Sequence, residues 1–242
     1  MKRTPVREVT LHGSPLKACV LDIDGTMYRQ NVLRREMLGL LLRKHAAHPL
    51  RGWHTARVLR AYRHAQESLR STGTDHDVAR AQIRLTCERT NSDYDAVVAC
   101  VEQWMEQEPL AFLPRCVQPG LFEFLAACRA RGLRLAALSD YPAQAKLEAL
   151  GVAGLFDVVL SAQDPAIDVF KPNPRGLLVA LERLGSTTSE SLYVGDRLDV
   201  DAPTAAAAGM RCAILTERPT ANAAETQIWF ARYSQLQTLL LP

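Results

Sequence analysis

The sequence predicts an α/β fold in which a parallel β-sheet carries helices on both faces and is interrupted by an all-helical insert. Three observations predict it. From residue 115 onward, short apolar runs that end in Ser, Gly or Asp alternate with segments of helical period, the pattern of strand–helix–strand units. One further strand-like run, Leu16–Leu21, stands far upstream. Between them, from Asn31 to Pro114, every apolar pattern has helical spacing. The expected division is a core of residues 1–30 and 115–242 and an insert of residues 31–114.

Taken in order, residues 1–15 read as a loose tail or edge segment, and Leu16–Leu21 as a buried strand that stops at Asp22. In the insert, Leu33, Met37, Leu38, Leu41 and Leu42 mark a first helix, broken by Pro49 and Gly52. Val58, Leu59, Tyr62, Ala65 and Leu69 mark a second. Val78, Ala81, Ile83 and Leu85 mark a third, with Asp75 as its N-cap. Tyr94, Val97, Val98, Val101, Trp104 and Met105 mark a fourth. Beyond Pro114, a helix opens at Pro119 and closes at Gly132. The strand Leu133–Leu138 ends at Ser139–Asp140 and is followed by a helix over Ala143–Leu150. Then come a strand at Phe156–Leu160, a helix at Pro174–Leu184, and a strand at Leu192–Val194 ending in Gly195–Asp196. A helix at Ala202–Ala208, a strand at Cys212–Leu215, an edge strand at Ile228–Ala231 and a helix through Leu236 and Leu240 complete the chain.

Composition excludes several classes of function. With 242 residues, 48% hydrophobic and a net charge of +3, the chain is an ordinary globular one, and its mild basicity gives no ground for a nucleic-acid partner. No apolar run reaches the roughly 18–20 residues that span a bilayer, and the N-terminus lacks the apolar stretch of a secretory signal. The six cysteines are scattered without a CxxC pair, so neither a zinc cluster nor a disulfide framework is expected. A cytoplasmic location is expected, with no membrane attachment.

In an open α/β sheet the site lies at the carboxyl ends of the strands. Four segments there carry polar residues: Asp22-Ile23-Asp24-Gly25-Thr26, where Gly25 permits a turn that brings both carboxylates to one opening; Ser139; Lys171 between Phe170 and Pro172; and Gly195-Asp196, followed by Asp199 and Asp201. Singly, each has an ordinary explanation. Asp-Gly is a common turn pair, Ser139 and Asp201 suit helix caps, and Lys171 suits solvent. Their convergence on one end of one sheet is what points to a site.

DIDGT, a Ser after an apolar strand, KPNP and GDRLDVD, in that order, resemble the four motifs of the haloacid dehalogenase (HAD) superfamily. The likeness covers the α/β part, and the insert resembles the helical cap of that family. The resemblance implies a Rossmann-like core and a phosphatase-like HAD hydrolase. On that reading Asp22 is the nucleophile that forms an aspartyl-phosphate and Asp24 the general acid and base. Ser139, the amide of Asp140 and Lys171 hold the phosphoryl group. Asp22, the Asp24 carbonyl, Asp196 and Asp201 hold Mg²⁺, with Asp201 acting directly, through water or by orienting Lys171. Charge arithmetic agrees with a cation. Two carboxylates about 4 Å apart repel by roughly 4 kcal/mol at an effective dielectric near 20, and oxygen donors without His or Cys suit Mg²⁺ rather than zinc. The expected activity is Mg²⁺-dependent hydrolysis of a small-molecule phosphate ester. A phosphomutase on the same core, or a non-catalytic ligand-binding module of this fold, is the alternative. By the same resemblance, Asp24, Lys171 and Asp196 together favour phosphoryl transfer over dehalogenation.

The insert is electrically lopsided. From Asn31 to Arg70, nine Lys and Arg residues face only Glu36 and Glu67, and from Ser71 to Pro114 acids outnumber bases. Either the two halves neutralise one another, or part of the basic half, including Arg57, Arg60 and Arg63, attracts an anionic substrate.

Overall fold

The structure is a computed structural model that describes residues 10–11, 14–217 and 227–241. Six strands form one sheet: β1 (Ala18–Leu21), β2 (Arg134–Ser139), β3 (Val158–Ser161), β4 (Ser191–Gly195), β5 (Arg211–Leu215) and β6 (Gln227–Phe230). Their order is β3-β2-β1-β4-β5-β6, and every pairing is parallel. The order reverses at β1, whose Leu21 lies opposite Ala137 of β2 and Val194 of β4. The crevice beyond that point is where open α/β sheets bind ligands. Ahead of the sheet, Thr10–Leu11 pairs antiparallel with Ser14–Pro15; the rest of the expected N-terminal tail lies outside the described residues.

The insert leaves β1 and supplies α1 (Gln30–Lys44), α2 (Pro49–Thr72), α3 (Val78–Thr90), α4 (Tyr94–Val101) and the short α5 (Leu113–Cys116). The core then adds α6 (Leu121–Ala130), α7 (Gln144–Ala149), α8 (Arg175–Leu184), α9 (Asp201–Ala207) and α10 (Tyr233–Leu240). Alternation along β1 fills both faces of the sheet. Cys19 and Leu21 pack with Phe124, Leu147 and Tyr233 on one side. Ala18 and Val20 pack with Leu177, Leu181 and Ala205 on the other.

Five expectations within the insert need correction. In α1, Leu33 and Leu40 are buried, whereas Leu38 and Leu42 are 56% and 65% exposed; Leu38 lines an open cavity. Pro49 and Gly52 do not separate helices. Pro49 opens α2, where its missing N–H costs nothing. Gly52 is buried inside α2, and a Cβ there would come within 2.9 Å of the His45 Cβ. Asp75 does not cap α3; the carboxylate of Asp168, from the core, accepts from the backbone N–H of Asp77 at 2.6 Å and of Val78 at 3.0 Å. The buried face of α3 is Val78, Gln82, Ile83, Thr86 and Thr90. Its threonines donate to the carbonyls four residues back, so an apolar-only pattern misplaces the face. Finally, α4 stops at Val101, and the chain continues as a π-helical turn, Glu102–Gln107, and a 3₁₀ turn, Glu108–Ala111.

Insert and core meet at more than one place: Leu33 and Leu113 pack into the core cluster with Phe124 and Leu147. Leu69 and Val78 pack with Ala162 and Phe170. Tyr141 of the core stacks on Tyr62 at 5.8 Å and donates to Gln66 Oε1 at 2.8 Å. Ion pairs link Arg70 to Asp140 and Glu67 to Arg197.

Candidate active site

Asp22 follows β1 directly, and its N–H donates to the Val194 carbonyl at 2.8 Å, extending the ladder by one residue. Its side chain is therefore held at the sheet's reversal point. Oδ1 accepts from Lys171 Nζ at 2.6 Å and Oδ2 from Thr26 Oγ1 at 2.9 Å. Lys171 also donates to Asp201 Oδ1 at 2.8 Å and to Tyr193 Oη at 3.1 Å. Asp201 in turn accepts from Tyr193 Oη at 2.7 Å and, through Oδ2, from the N–H groups of Asp196 and Arg197 at 3.1 and 2.9 Å. Asp201 thus orients Lys171 and shapes the loop after β4. All three charged groups are buried. Burial opposes the charge on Lys171, but Asp201 and Asp22 outweigh it and raise its pKa well above the usual value. For Asp201, burial is outweighed by Lys171 and by its hydrogen bonds, and the pKa is lowered. For Asp22, burial prevails over Lys171 and the pKa is raised.

Gly25 lets Asp196 join this group. Its φ is +108°, and a Cβ would lie 2.2 Å from Asp196 Oδ2, so only glycine permits the approach. Oxygens of Asp22, Asp196 and Asp201 lie within 4.8 Å of one another. Among the described residues, the Asp196 carboxylate accepts a single long bond, 3.4 Å from Thr26 Oγ1. Burial and Asp201 push its pKa up to about 7. A set of crowded oxygen donors, one nearly unpartnered, fits a hard divalent cation such as Mg²⁺.

Asp24 turns its carboxylate away from that cluster. Oδ1 accepts from Tyr28 Oη at 2.5 Å and Lys146 Nζ at 2.6 Å, and Oδ2 accepts from Lys146 at 2.8 Å and Ser139 Oγ at 2.8 Å. Burial resists ionisation, but the Lys146 charge and these bonds outweigh it, so the pKa is lowered. The Asp24 carbonyl accepts from Gln30 Nε2 at 3.0 Å. Ser139, expected at the phosphoryl oxygens, here gives its proton to Asp24 and accepts from the Tyr141 N–H at 3.1 Å. The Asp140 carboxylate is paired with Arg70, and Asp199 with Arg197 at the surface.

The structure therefore gathers Asp22, Asp24, Ser139, Lys171, Asp196 and Asp201 at one end of the sheet. Sequence reasoning missed Lys146, Tyr28 and Tyr193, and gave Thr26 no role of its own. Lys146 had a signal. It lies on the same helical face as Ala143 and Leu150, both buried, and a lysine on an apolar face needs a partner.

A family model described as haloacid dehalogenase-like hydrolase matches residues 16–209. The chain belongs to this family. This haloacid dehalogenase-like hydrolase is 30% identical, over 81% of its length and 82% of the relative's, to a glyceraldehyde 3-phosphate phosphatase of Methanopyrus kandleri. A phosphoglycolate phosphatase of Rhodospirillum rubrum is 35% identical over 41% of this chain and 42% of its own. Among solved structures, a HAD phosphatase of Thermococcus onnurineus superposes with a TM-score of 0.62 at 22% identity, covering 93% of this chain and 98% of that one. An L-2-haloacid dehalogenase of Xanthobacter autotrophicus superposes at 0.64 with 19% identity, over 93% and 98%. These low-identity likenesses show the fold, a Rossmann-like HAD core. Among the described residues of the hydrolase, no helix is long and apolar enough to cross a membrane.

Proposed function

We propose that this hydrolase is a Mg²⁺-dependent phosphatase that moves the phosphoryl group of a phosphate monoester to Asp22 and then to water. The observation that carries the reading is a buried carboxylate at the sheet's reversal point, fixed by Lys171 and open to a cavity that Asp24, Asp196 and Asp201 also line. The names of the relatives agree with the reaction class.

Asp22, Asp196 and Asp201 would hold the cation, which neutralises charge on the phosphoryl oxygens when bound. Lys171 fixes the rotamer of Asp22 and offsets its repulsion from an anionic ester. Attack by an Asp22 oxygen forms the acyl-phosphate bond as the ester P–O bond breaks. Asp24 gives its proton to the departing oxygen, and in the second half takes one from the water that cleaves the acyl-phosphate. In the free protein Asp24 is held ionised, the state needed for that second half. An ester dianion brought beside it raises its proton affinity, as like charge does, so substrate arrival loads the acid. Lys146, Tyr28 and Ser139 donate to the Asp24 carboxylate and fix its position, while the proton it takes up and gives to the departing oxygen comes from water.

The direct test is turnover of 4-nitrophenyl phosphate by purified protein, abolished by EDTA and restored by Mg²⁺. Full turnover without metal would sink the reading. Asp24→Ala is expected to lower kcat/KM by roughly 10²–10⁴-fold on alkyl phosphates and by much less on 4-nitrophenyl phosphate, whose leaving group needs no proton. An equal loss on both would make Asp24 structural.

The carboxylate pKa values set a pH signature. Asp22 and Asp196 are raised in the folded state, so between the unfolded value near 4 and about 7 for Asp196 the native protein binds more protons than the unfolded chain. Metal-free stability therefore falls as pH rises through that window. The lowered groups, Asp24 and Asp201, lose their contribution only at lower pH. Since a bound cation must displace the Asp196 proton, the rise in Tm given by Mg²⁺ should be larger at pH 8 than at pH 6, as differential scanning fluorimetry would read. An increment that shrinks toward pH 8 contradicts the assignment.

A further inference from the structure

The cavity over Asp22 is much larger than the chemistry at its floor requires. It encloses about 850 Å³ between the sheet ends and the insert. Phosphoglycolate or a triose phosphate has about ten non-hydrogen atoms at most, and at roughly 30 Å³ or less for each would occupy no more than about 300 Å³.

The walls are of two kinds. One is apolar: Leu38 and Leu41 of α1, Leu59 of α2, and Trp104 and Met105 of the π-helical turn all line it. Leu38 shows 56% of its surface there and elsewhere, a cost that a bound apolar body would remove. The other wall is cationic. Arg34 of α1 and Arg60 and Arg63 of α2 line the same space. Among the described residues none of the three has a carboxylate in ion-pair range: Arg34 donates to Gln30 Oε1 at 2.7 Å, and Arg63 reaches only Met105 Sδ at 3.8 Å. Arg70 and Arg197, by contrast, are both paired with acids.

This sorts the basic half of the insert. Arg57 donates to the Thr90 carbonyl at 2.5 Å and is occupied away from the cavity. Lys44–Glu108 is the ion pair joining the basic half to the acidic half among the described residues. Arg60 and Arg63, three residues apart, share the helix face that looks into the cavity.

We propose that the cavity selects the phosphate monoester of a bulky, mainly apolar alcohol carrying a second anionic group, with the apolar body against Leu38, Leu59 and Met105 and the second anion on Arg34, Arg60 and Arg63. The inference rests on the phosphatase reading of the floor and goes beyond the substrates named for the relatives.

Four esters test it in the Mg²⁺-loaded protein: phosphoglycolate, 1-naphthyl phosphate, 5-carboxy-1-naphthyl phosphate and 1,5-naphthalene bisphosphate. The two doubly functional esters should exceed 1-naphthyl phosphate in kcat/KM, and both naphthyl classes should exceed phosphoglycolate, by roughly tenfold or more per step, the scale on which one pocket contact registers. Comparing carboxylate with phosphate tells which anion the arginines take. In Arg60→Gln/Arg63→Gln the advantage of the charged over the neutral naphthyl ester should collapse toward unity. Both arginines are exposed, and a melting curve checks that the fold is kept. Calorimetry with Asp22→Ala, which cannot turn over, should give the same order of affinities. Preference for phosphoglycolate, or a charge preference that survives the double substitution, overturns the inference while leaving the phosphatase reading intact. Selective binding without any hydrolysis by the native protein would do the reverse.

Discussion

On the proposed mechanism, Asp22→Ala is expected to abolish turnover of phosphate esters, with a loss on the order of 10⁴–10⁶-fold, because Asp22 is the group assigned to form the acyl-phosphate. The fold survives. Lys171 keeps Asp201 and Tyr193 as partners, and one of three crowded carboxylates is gone, so the metal-free variant should melt at or above the native temperature. Alanine is preferable to asparagine, whose deamidation would regenerate aspartate. The check is steady-state kinetics beside a melting curve. Residual turnover within about tenfold of native would assign the nucleophile elsewhere.

Lys171→Met has the largest expected effect on stability. The lysine is the cation hydrogen-bonded to both Asp22 and Asp201, and all three are buried. Methionine matches its length but leaves two carboxylates facing each other without a counter-charge. Removing one partner of a buried ion pair costs about 3–5 kcal/mol, which for a chain of this size is a fall in Tm on the order of 10 °C. Protonation of the carboxylates relieves part of the cost, so the deficit should be smaller at pH 6 than at pH 8. A change of Tm under about 2 °C would mean that Lys171 is not what keeps these charges in the interior.

The sheet was legible because its strands are short apolar runs punctuated by Gly, Asp and Ser, and each observed strand lies within about two residues of its expected place. The acidic cluster was legible for a related reason: strand ends in an open sheet share one rim, so Asp22, Ser139 and Asp196 had to meet. The insert was less legible. Gln82, Thr86 and Thr90 are buried polar residues, the threonines bonded to carbonyls four residues back and Gln82 donating through Nε2 to the Tyr62 carbonyl, and an apolar pattern cannot register them. The cap of α3 comes from Asp168, ninety residues away in the chain, and no local signal announces it. Lys146 and Tyr28 were missed at the site because their partner is Asp24, and only the fold shows a strand-end carboxylate and a helix lysine in contact. The basic residues of α2 could be counted from sequence, but only three-dimensional placement separates Arg60 and Arg63 from Arg57.

The central position of β1 has a consequence for how the protein is born. The strand that leads into Asp22 precedes both of its neighbours in the chain, which begin only at Arg134 and Ser191. At roughly 5–20 residues per second, several seconds pass before the first of them exists. The helices of the insert are synthesised in that interval, and their contacts, α2 with α3 above all, are local enough to form quickly. The strand leading to Asp22 is thus made before its neighbours and paired late, and the nascent chain carries an apolar segment, Cys19–Leu21, with both edges open for longer than any other strand of the sheet. Cells making this protein faster than the second half can close on the first would see aggregation seeded from that segment.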